Sequence, residues 1–421
     1  MKKLHNLILL NVALVLNMIS GFNSVYSQDK PGWKAFRETI ETLSSRNPEI
    51  NYYEEKIPEY TLPDLFTSSD GRNITSSGLW NNLRRPEILN LFRENVFGRI
   101  PETKYQTSFK VINLDKSAIN GAATLKQVDI TITSGEKKLV IHLTLFTPNN
   151  SQKPVPAFLL IDNRGPVNTD PSRTVKSEFW PVEDAIARGY GMAVFYNADV
   201  DPDNFDDFKN GIHGLLDKNP RPDDAWGTIA AWAWGASRCM DYLVTDKEIA
   251  AGKIAVVGHS RGGKTALWAG AEDTRFAMVV ANESGCGGSS LARRRYGETV
   301  KLINTAFPHW FSNRFKKYND NIESLPVDMH MLAALIAPRP LYVANASDDL
   351  WADPRGSYLS IYHALPVYNL LGAGSVIPEI MPPLNRQVIN GKVGYHIRDG
   401  GHNMLLSDWK MFMNFADSVL K

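Results

Sequence analysis

The five residues Gly258-His259-Ser260-Arg261-Gly262 are where residue type and spacing point most directly to chemistry. An apolar, β-branched run, Ile254-Ala255-Val256-Val257, leads into them, and an Ala- and Leu-containing segment to about Ala269 follows, which reads as strand, sharp turn and helix. Two glycines let a strand end and a helix start approach closely, so the serine can occupy a strained turn with its hydroxyl held over the sheet edge. In that setting Ser260 is a candidate nucleophile. The free N–H groups at the helix start, that of Arg261 included, favour developing negative charge.

A serine hydroxyl is a weak nucleophile until a base takes its proton, and the base needs an acid to fix its tautomer. The chain order expected after an elbow serine is serine, acid, histidine. His402, in Asp399-Gly400-Gly401-His402-Asn403, follows the last apolar run in a glycine-permissive loop and is the expected base. His396, inside Tyr395-His396-Ile397-Arg398, reads instead as a packed, hydrogen-bonded sheet residue. For the acid, Glu283 in Ala281-Asn282-Glu283-Ser284-Gly285 competes with Asp348 and Asp349 in Asn345-Ala346-Ser347-Asp348-Asp349. Spacing alone favours the later pair. Lys264 lies one helical turn beyond Ser260 and so can reach the same mouth. Trp226, Trp232 and Trp234 have the spacing of core packing.

The elements that would position these residues follow from periodicity. Residues 107–147 alternate apolar and polar side chains and contain Asn120-Gly121 and Ser134-Gly135, so they predict antiparallel strands with one wet face. After Pro154 the rhythm changes to continuous apolar strands separated by helical patterns: 157–161, 192–196, 254–257, 276–281, 340–344 and 393–397. Strands of that kind predict a mostly parallel sheet covered by helices on both faces. Antiparallel strands first, then a parallel run with the serine elbow in its middle, is the ordering of an α/β-hydrolase: a three-layer sandwich with antiparallel N-terminal strands. Its active site gathers at the carboxyl ends of the strands.

Composition bounds the partners. The chain has 421 residues, 43% hydrophobic and 22% charged, enough for a large core. No internal repeat or low-complexity linker divides it, so residues 28–421 are expected to form one domain, with a motif-poor extension to about residue 105. Met1-Lys2-Lys3, an apolar run to about Phe22 broken by Asn11 and Asn17, and Val25-Tyr26-Ser27 before Gln28 read as a secretory signal peptide over residues 1–27. A membrane anchor is the competing reading, and the run is short and interrupted for one. The mature protein is expected outside the cytoplasm, secreted or periplasmic, and off the membrane. With 46 basic against 45 acidic residues and no basic block, nothing suggests a nucleic-acid partner. Two cysteines, Cys239 and Cys286, make no disulfide framework, and their state is left open.

Six blocks in order carry a resemblance: Gly258-His259-Ser260-Arg261-Gly262-Gly263-Lys264, Asn282-Glu283-Ser284-Gly285-Cys286-Gly287-Gly288, Gly297-Glu298-Thr299-Val300, Phe307-Pro308-His309-Trp310-Phe311, Ala337-Pro338-Arg339-Pro340 and Trp351-Ala352-Asp353-Pro354. From about Pro154 to its C-terminus the chain resembles the bacterial branch of carbohydrate esterase family 15, the glucuronoyl esterases. The resemblance implies a metal-free and cofactor-free serine hydrolase, expected as a monomer, that cleaves esters between 4-O-methyl-glucuronic acid of glucuronoxylan and lignin alcohols. It implies Ser260 as nucleophile, His402 as base and Glu283 as acid, overturning the spacing preference, with Asp349 sharing or replacing that role. It further implies Arg261 as oxyanion holder and Lys264, Glu298 and Trp351 as contacts to the uronate hydroxyls. His259 stands where fungal members have a cysteine whose disulfide ties the elbow to the histidine loop, and no position aligns with a sugar-contacting glutamine of that branch. An acetyl-xylan or feruloyl esterase and a catalytically silent carbohydrate-binding protein are the alternatives, the latter requiring a missing triad residue.

Overall fold

The structure, a computed structural model, describes residues 32–421; the expected signal segment lies outside the described residues. Alternation over residues 107–147 produces three long antiparallel strands, β1 (Gln106–Ala118), β2 (Ala123–Ser134) and β3 (Lys137–Pro148). The chain reverses between them through Asn120 and Gly121, at φ 55° and 84°, and Gly135, at φ 59°. These are backbone conformations that asparagine and glycine adopt at least cost.

The buried apolar runs follow as β4 (Val155–Asp162), β5 (Gly191–Tyr196), β6 (Ile249–His259), β7 (Met278–Asn282) and β8 (Leu341–Ala346), then β9 (Val388–Asn390) and β10 (Val393–Arg398). Among the described residues they form one ten-stranded sheet in the order β1-β2-β3-β5-β4-β6-β7-β8-β10-β9. β3 pairs antiparallel with β5, which opens a parallel run through β4, β6, β7, β8 and β10. The three-residue β9 closes the far edge antiparallel to β10, and it is too short to leave a period in the sequence.

Successive strand residues feed two separate cores, as the pleat requires. Ile254 and Val256 of β6, Val279 and Ala281 of β7, and Leu341 and Val343 of β8 join one cluster; Ala255, Val257, Met278, Val280, Tyr342 and Ala344 join the other. The first face is covered by helices Thr228–Leu243, Arg261–Glu272 and Pro354–Leu370, and the second by Val182–Ala187 and Leu406–Val419. This is the three-layer α/β-hydrolase sandwich. Trp226, Trp232 and Trp234 are all buried in the first core. Cys239 and Cys286 are separate buried thiols. Among the described residues no helix is long and apolar enough to cross a membrane.

The N-terminal extension contributes helices Arg37–Arg46 and Arg85–Asn95, and its Tyr52, Trp80, Phe92 and Phe97 are buried in the same first core. Phe97 stacks on Trp268 of the Arg261–Glu272 helix, with ring centroids 4.2 Å apart and planes at 16°. The extension therefore braces the helix that follows Ser260. Trp268 is buried, so Trp268→Ala is expected to cost about 3–5 kcal/mol in equilibrium urea unfolding. A loss below about 1 kcal/mol would show that this stack carries little of the packing.

Candidate active site

Ser260 links the end of β6 to the helix Arg261–Glu272 with φ 56° and ψ −125°, a strained conformation for a residue with a side chain. Neighbouring glycines make the turn possible. A Cβ on Gly258 would meet the Gly262 carbonyl oxygen at 1.9 Å, and one on Gly263 would meet the Ser284 Cβ at 2.9 Å. The turn is pinned from β7, since the Ser260 N–H donates to the Asn282 carbonyl at 2.9 Å. Its own carbonyl accepts from the N–H groups of Gly263, at 2.9 Å, and Lys264, at 3.1 Å.

His402 comes from the loop after β10 and meets two carboxylates delivered by adjacent strands. Its Nδ1 lies 2.7 Å from Asp349 Oδ2, beyond β8, and 3.0 Å from Glu283 Oε2, at the end of β7. An Nδ1–H facing acceptors leaves Nε2 as the basic nitrogen. Asp348, the other acid that spacing favoured, is exposed; its backbone N–H donates to the Gly400 carbonyl at 3.0 Å. His396 is fully buried between the Tyr342 hydroxyl (2.9 Å) and Asp408 (2.8 Å), a packed sheet residue as its strand position predicts.

Burial pushes the Glu283 carboxyl up to about 7, against the opposing hydrogen bond from His402. For His402 itself, burial works to depress the imidazole, but hydrogen bonds to Asp349 and Glu283, and their charges, outweigh it and hold the group up to about 9. One proton is thus attracted to a cluster of three groups.

Among the described residues the Ser260 hydroxyl makes no hydrogen bond, to His402 or elsewhere; such contacts are often long before substrate binds. The two loops are joined through their neighbours. Asn282 donates from its amide to the Asn403 carbonyl at 2.9 Å and lies 2.9 Å from His259 Nδ1. Arg164, after β4, donates to the Asn403 side chain at 2.6 Å and lies 3.0 Å from His259 Nε2. His259 is buried, its ring 4.5 Å from that of His402, and burial drives its basicity well down. Where the fungal branch is implied to use a disulfide, this chain joins the elbow to the histidine loop by polar contacts.

Sequence reasoning missed Arg398, the last residue of β10. Its Nη2 donates to Glu283 Oε1 at 2.8 Å and to the carbonyls of Gly401, at 2.7 Å, and Asn403, at 2.9 Å, while its Nε donates to Asp408 at 3.1 Å. One buried guanidinium therefore fixes both Glu283 and the loop that carries His402. The available signal was a charged residue closing an otherwise buried strand.

The remaining candidates fall into two contact groups, one around Arg261 and one around Lys264. The Arg261 N–H, at the first helical position, has no intrahelical acceptor. Its guanidinium pairs through Nη1 with Asp203, and its Cζ lies 5.0 Å from the Trp310 ring and 5.7 Å from that of Phe307. Lys264 is buried, not solvated, and donates to the carbonyls of Ser284, at 2.7 Å, and Cys286, at 2.8 Å, and to Glu298 at 3.4 Å. The Glu298 N–H in turn donates to the Trp351 carbonyl at 2.9 Å, and the Trp351 side chain is exposed. Nitrogen atoms of His259 and His402 and an oxygen of Glu283 lie within 4.8 Å of one another, a spacing that could suit a cation. The guanidinium groups of Arg164 and Arg398 already contact this cluster and oppose one electrostatically.

The family described as glucuronyl esterase, fungi, matches residues 130–372. Carbohydrate esterase MZ0003, from an unknown prokaryotic organism, is 42% identical over 87% of this chain and 91% of its own length. 4-O-methyl-glucuronoyl methylesterase 1 of Wolfiporia cocos is 31% identical over 75% of this chain and 74% of its own. Among solved structures, a glucuronoyl esterase from Solibacter usitatus superposes with a TM-score of 0.82 at 39% identity, covering 88% of this chain and 100% of that one. With an elbow serine, a carboxylate-bound histidine and relatives at this similarity, the chain belongs to the glucuronoyl esterases of carbohydrate esterase family 15.

Proposed function

We propose that this carboxylic ester hydrolase cleaves the ester between 4-O-methyl-D-glucuronic acid of glucuronoxylan and an alcohol of lignin, with Ser260 as nucleophile. The observation that carries the reading is the His402 Nδ1 held by both Asp349 and Glu283, on a loop tied to the serine elbow. His402 Nε2 takes the hydroxyl proton as Ser260 attacks the uronoyl carbonyl, and later gives it to the leaving alcohol. Water, activated by the same imidazole, then releases the uronate. Arg261 stabilises the oxyanion with its backbone N–H and guanidinium. Lys264, Glu298 and Trp351 receive the sugar ring, the first two as a buried charge pair that can redirect hydrogen bonds to hydroxyls, the last as an exposed aromatic face.

A broader ester range is the second reading, favoured by one observation: a 41%-identical structure, TM-score 0.81, is described as a promiscuous esterase of this family. Side-by-side turnover of a methyl glucuronate ester and an acetylated xylan separates the two. We also read residues 28–421 as one domain, supported by the joint core, and the protein as exported after loss of residues 1–27. Intact mass of the exported protein tests that cleavage.

Ser260→Ala is expected to lower kcat on a methyl glucuronate ester at least about 10³-fold, and turnover near wild type would point to another nucleophile. Asp349→Asn and Glu283→Gln should each leave partial activity, whereas the double variant falls to the Ser260→Ala level. A single acid variant that abolishes turnover would show that the role is not shared. The two differ in stability, because Glu283 also pairs with buried Arg398; Glu283→Gln should lower Tm more than Asp349→Asn.

The same contacts set a pH dependence. Two carboxylates raise the His402 pKa, so the neutral base becomes populated, and kcat/KM rises, only as pH climbs through about 9. Removing one carboxylate withdraws negative charge, lowers that pKa and should move the acidic limb of the profile to lower pH. A limb that stays in place in both variants would contradict this origin.

A further inference from the structure

The catalytic arginine of the proposed mechanism is itself held by a group outside every sequence motif. Asp203 lies in the loop that follows β5 and its short helical turn Asn197–Asp199. Its Oδ2 pairs with Arg261 Nη1, while its Oδ1 accepts from Trp310 Nε1 at 2.8 Å and contacts His309 Nε2 at 3.0 Å. Burial acts to raise the carboxyl, but those three partners outweigh it and hold the group below its ordinary range. The Trp310 ring that donates to Asp203 also lies beneath the guanidinium and is itself stacked on Phe307, with ring centroids 3.7 Å apart.

A guanidinium has five N–H donors and can point them in many directions if left free. Here its outer end is taken by Asp203 and its face by Trp310 and Phe307. Among the described residues the buried Arg261 Nε has no hydrogen-bond partner. A buried charged donor without an acceptor is costly unless the reaction supplies one. It belongs to the residue directly after Ser260, whose backbone N–H, at the first helical position, also has no intrahelical acceptor.

We propose that Asp203, braced by Trp310 and His309, is a positioning residue that fixes the Arg261 guanidinium so that its unpaired Nε–H acts with the Arg261 backbone N–H on the oxyanion. The inference rests on the serine-esterase reading and adds to it the element that preorganises the positive side of the site. Asp203 touches no reacting atom and acts only through Arg261. Preorganisation of this kind speeds the chemical step and leaves ground-state binding nearly unchanged.

Asp203→Asn is the discriminating change, because the amide keeps an oxygen for Trp310 and His309 while turning a neutral donor toward Arg261. Steady-state kinetics on a methyl glucuronate ester would compare wild type, D203N, R261A and the double variant, with thermal unfolding of each. The expected result is a fall in kcat of about 10-fold or more for D203N, short of the ~10²–10³ that loss of a whole donor costs in R261A. KM should stay within about twofold, and the double variant should be no slower than R261A alone. If D203N proves too unstable to assay, W310F, which deletes only the indole donor to Asp203 and part of the platform, should lower kcat in the same sense and likewise add nothing to R261A. Wild-type kcat in D203N, or a D203N effect that multiplies that of R261A, overturns the positioning role while leaving the serine mechanism intact. Full activity in R261A would instead remove Arg261 from the mechanism, and Asp203 with it.

Discussion

The arrangement depends on one imidazole shared by two carboxylates. His402 carries a single Nδ1 proton, and Asp349 and Glu283 both stand within hydrogen-bond reach of it. Burial pushes the Glu283 carboxyl up, and the charge of neighbouring Asp349 adds to that in the same direction. What keeps the cluster together is positive charge on either side: the imidazole that the acids hold in its protonated form, and Arg398 against the far oxygen of Glu283. The redundancy has a cost in resting basicity, because a histidine held by two acids gives up its proton only at higher pH. It has a benefit in orientation, because the ring is fixed from two strands at once.

Parallel β-topology explains how residues so far apart in the chain meet. Ser260, Glu283, Asp349 and His402 all follow the carboxyl ends of β6, β7, β8 and β10, which are neighbours in that order. The loops are then cross-linked without covalent bonds. Asn282 bonds the Ser260 amide through its carbonyl and the Asn403 carbonyl through its side chain, and Arg398 bonds the backbone at Gly401 and Asn403. His259 and Arg164 complete the seam between elbow and histidine loop. Asp203, itself bonded by Trp310, pairs with the Arg261 guanidinium, so Arg261 too is held by a neighbouring loop.

Much of this was legible before any coordinates. The elbow is readable because its strain demands glycines on both sides, and the Gly258 and Gly263 contacts show why nothing larger fits. The parallel sheet is readable because both faces of its strands are apolar. Spacing favoured the Asp348–Asp349 pair over Glu283, yet the carboxylates of Glu283 and Asp349 both reach the same nitrogen, which linear spacing cannot express. A lysine one turn into a helix can also be solvated, and the fold of the Ser284–Cys286 turn against Lys264 shows its ammonium buried. Asp203 and Arg164 lay beyond reach because each sits in a loop without periodicity, and their meaning comes from contacts across 58 residues to Arg261 and 95 to His259.

The measurement that tests the convergence of hydroxyl, imidazole and acids most directly is covalent labelling by a fluorophosphonate, followed by peptide mass spectrometry and by the rate of labelling. The proposed mechanism, in which His402 takes the Ser260 proton, predicts modification of Ser260 in the wild-type protein and its near loss in His402→Ala. Labelling of a different residue, or equally fast labelling of Ser260 without His402, would contradict it.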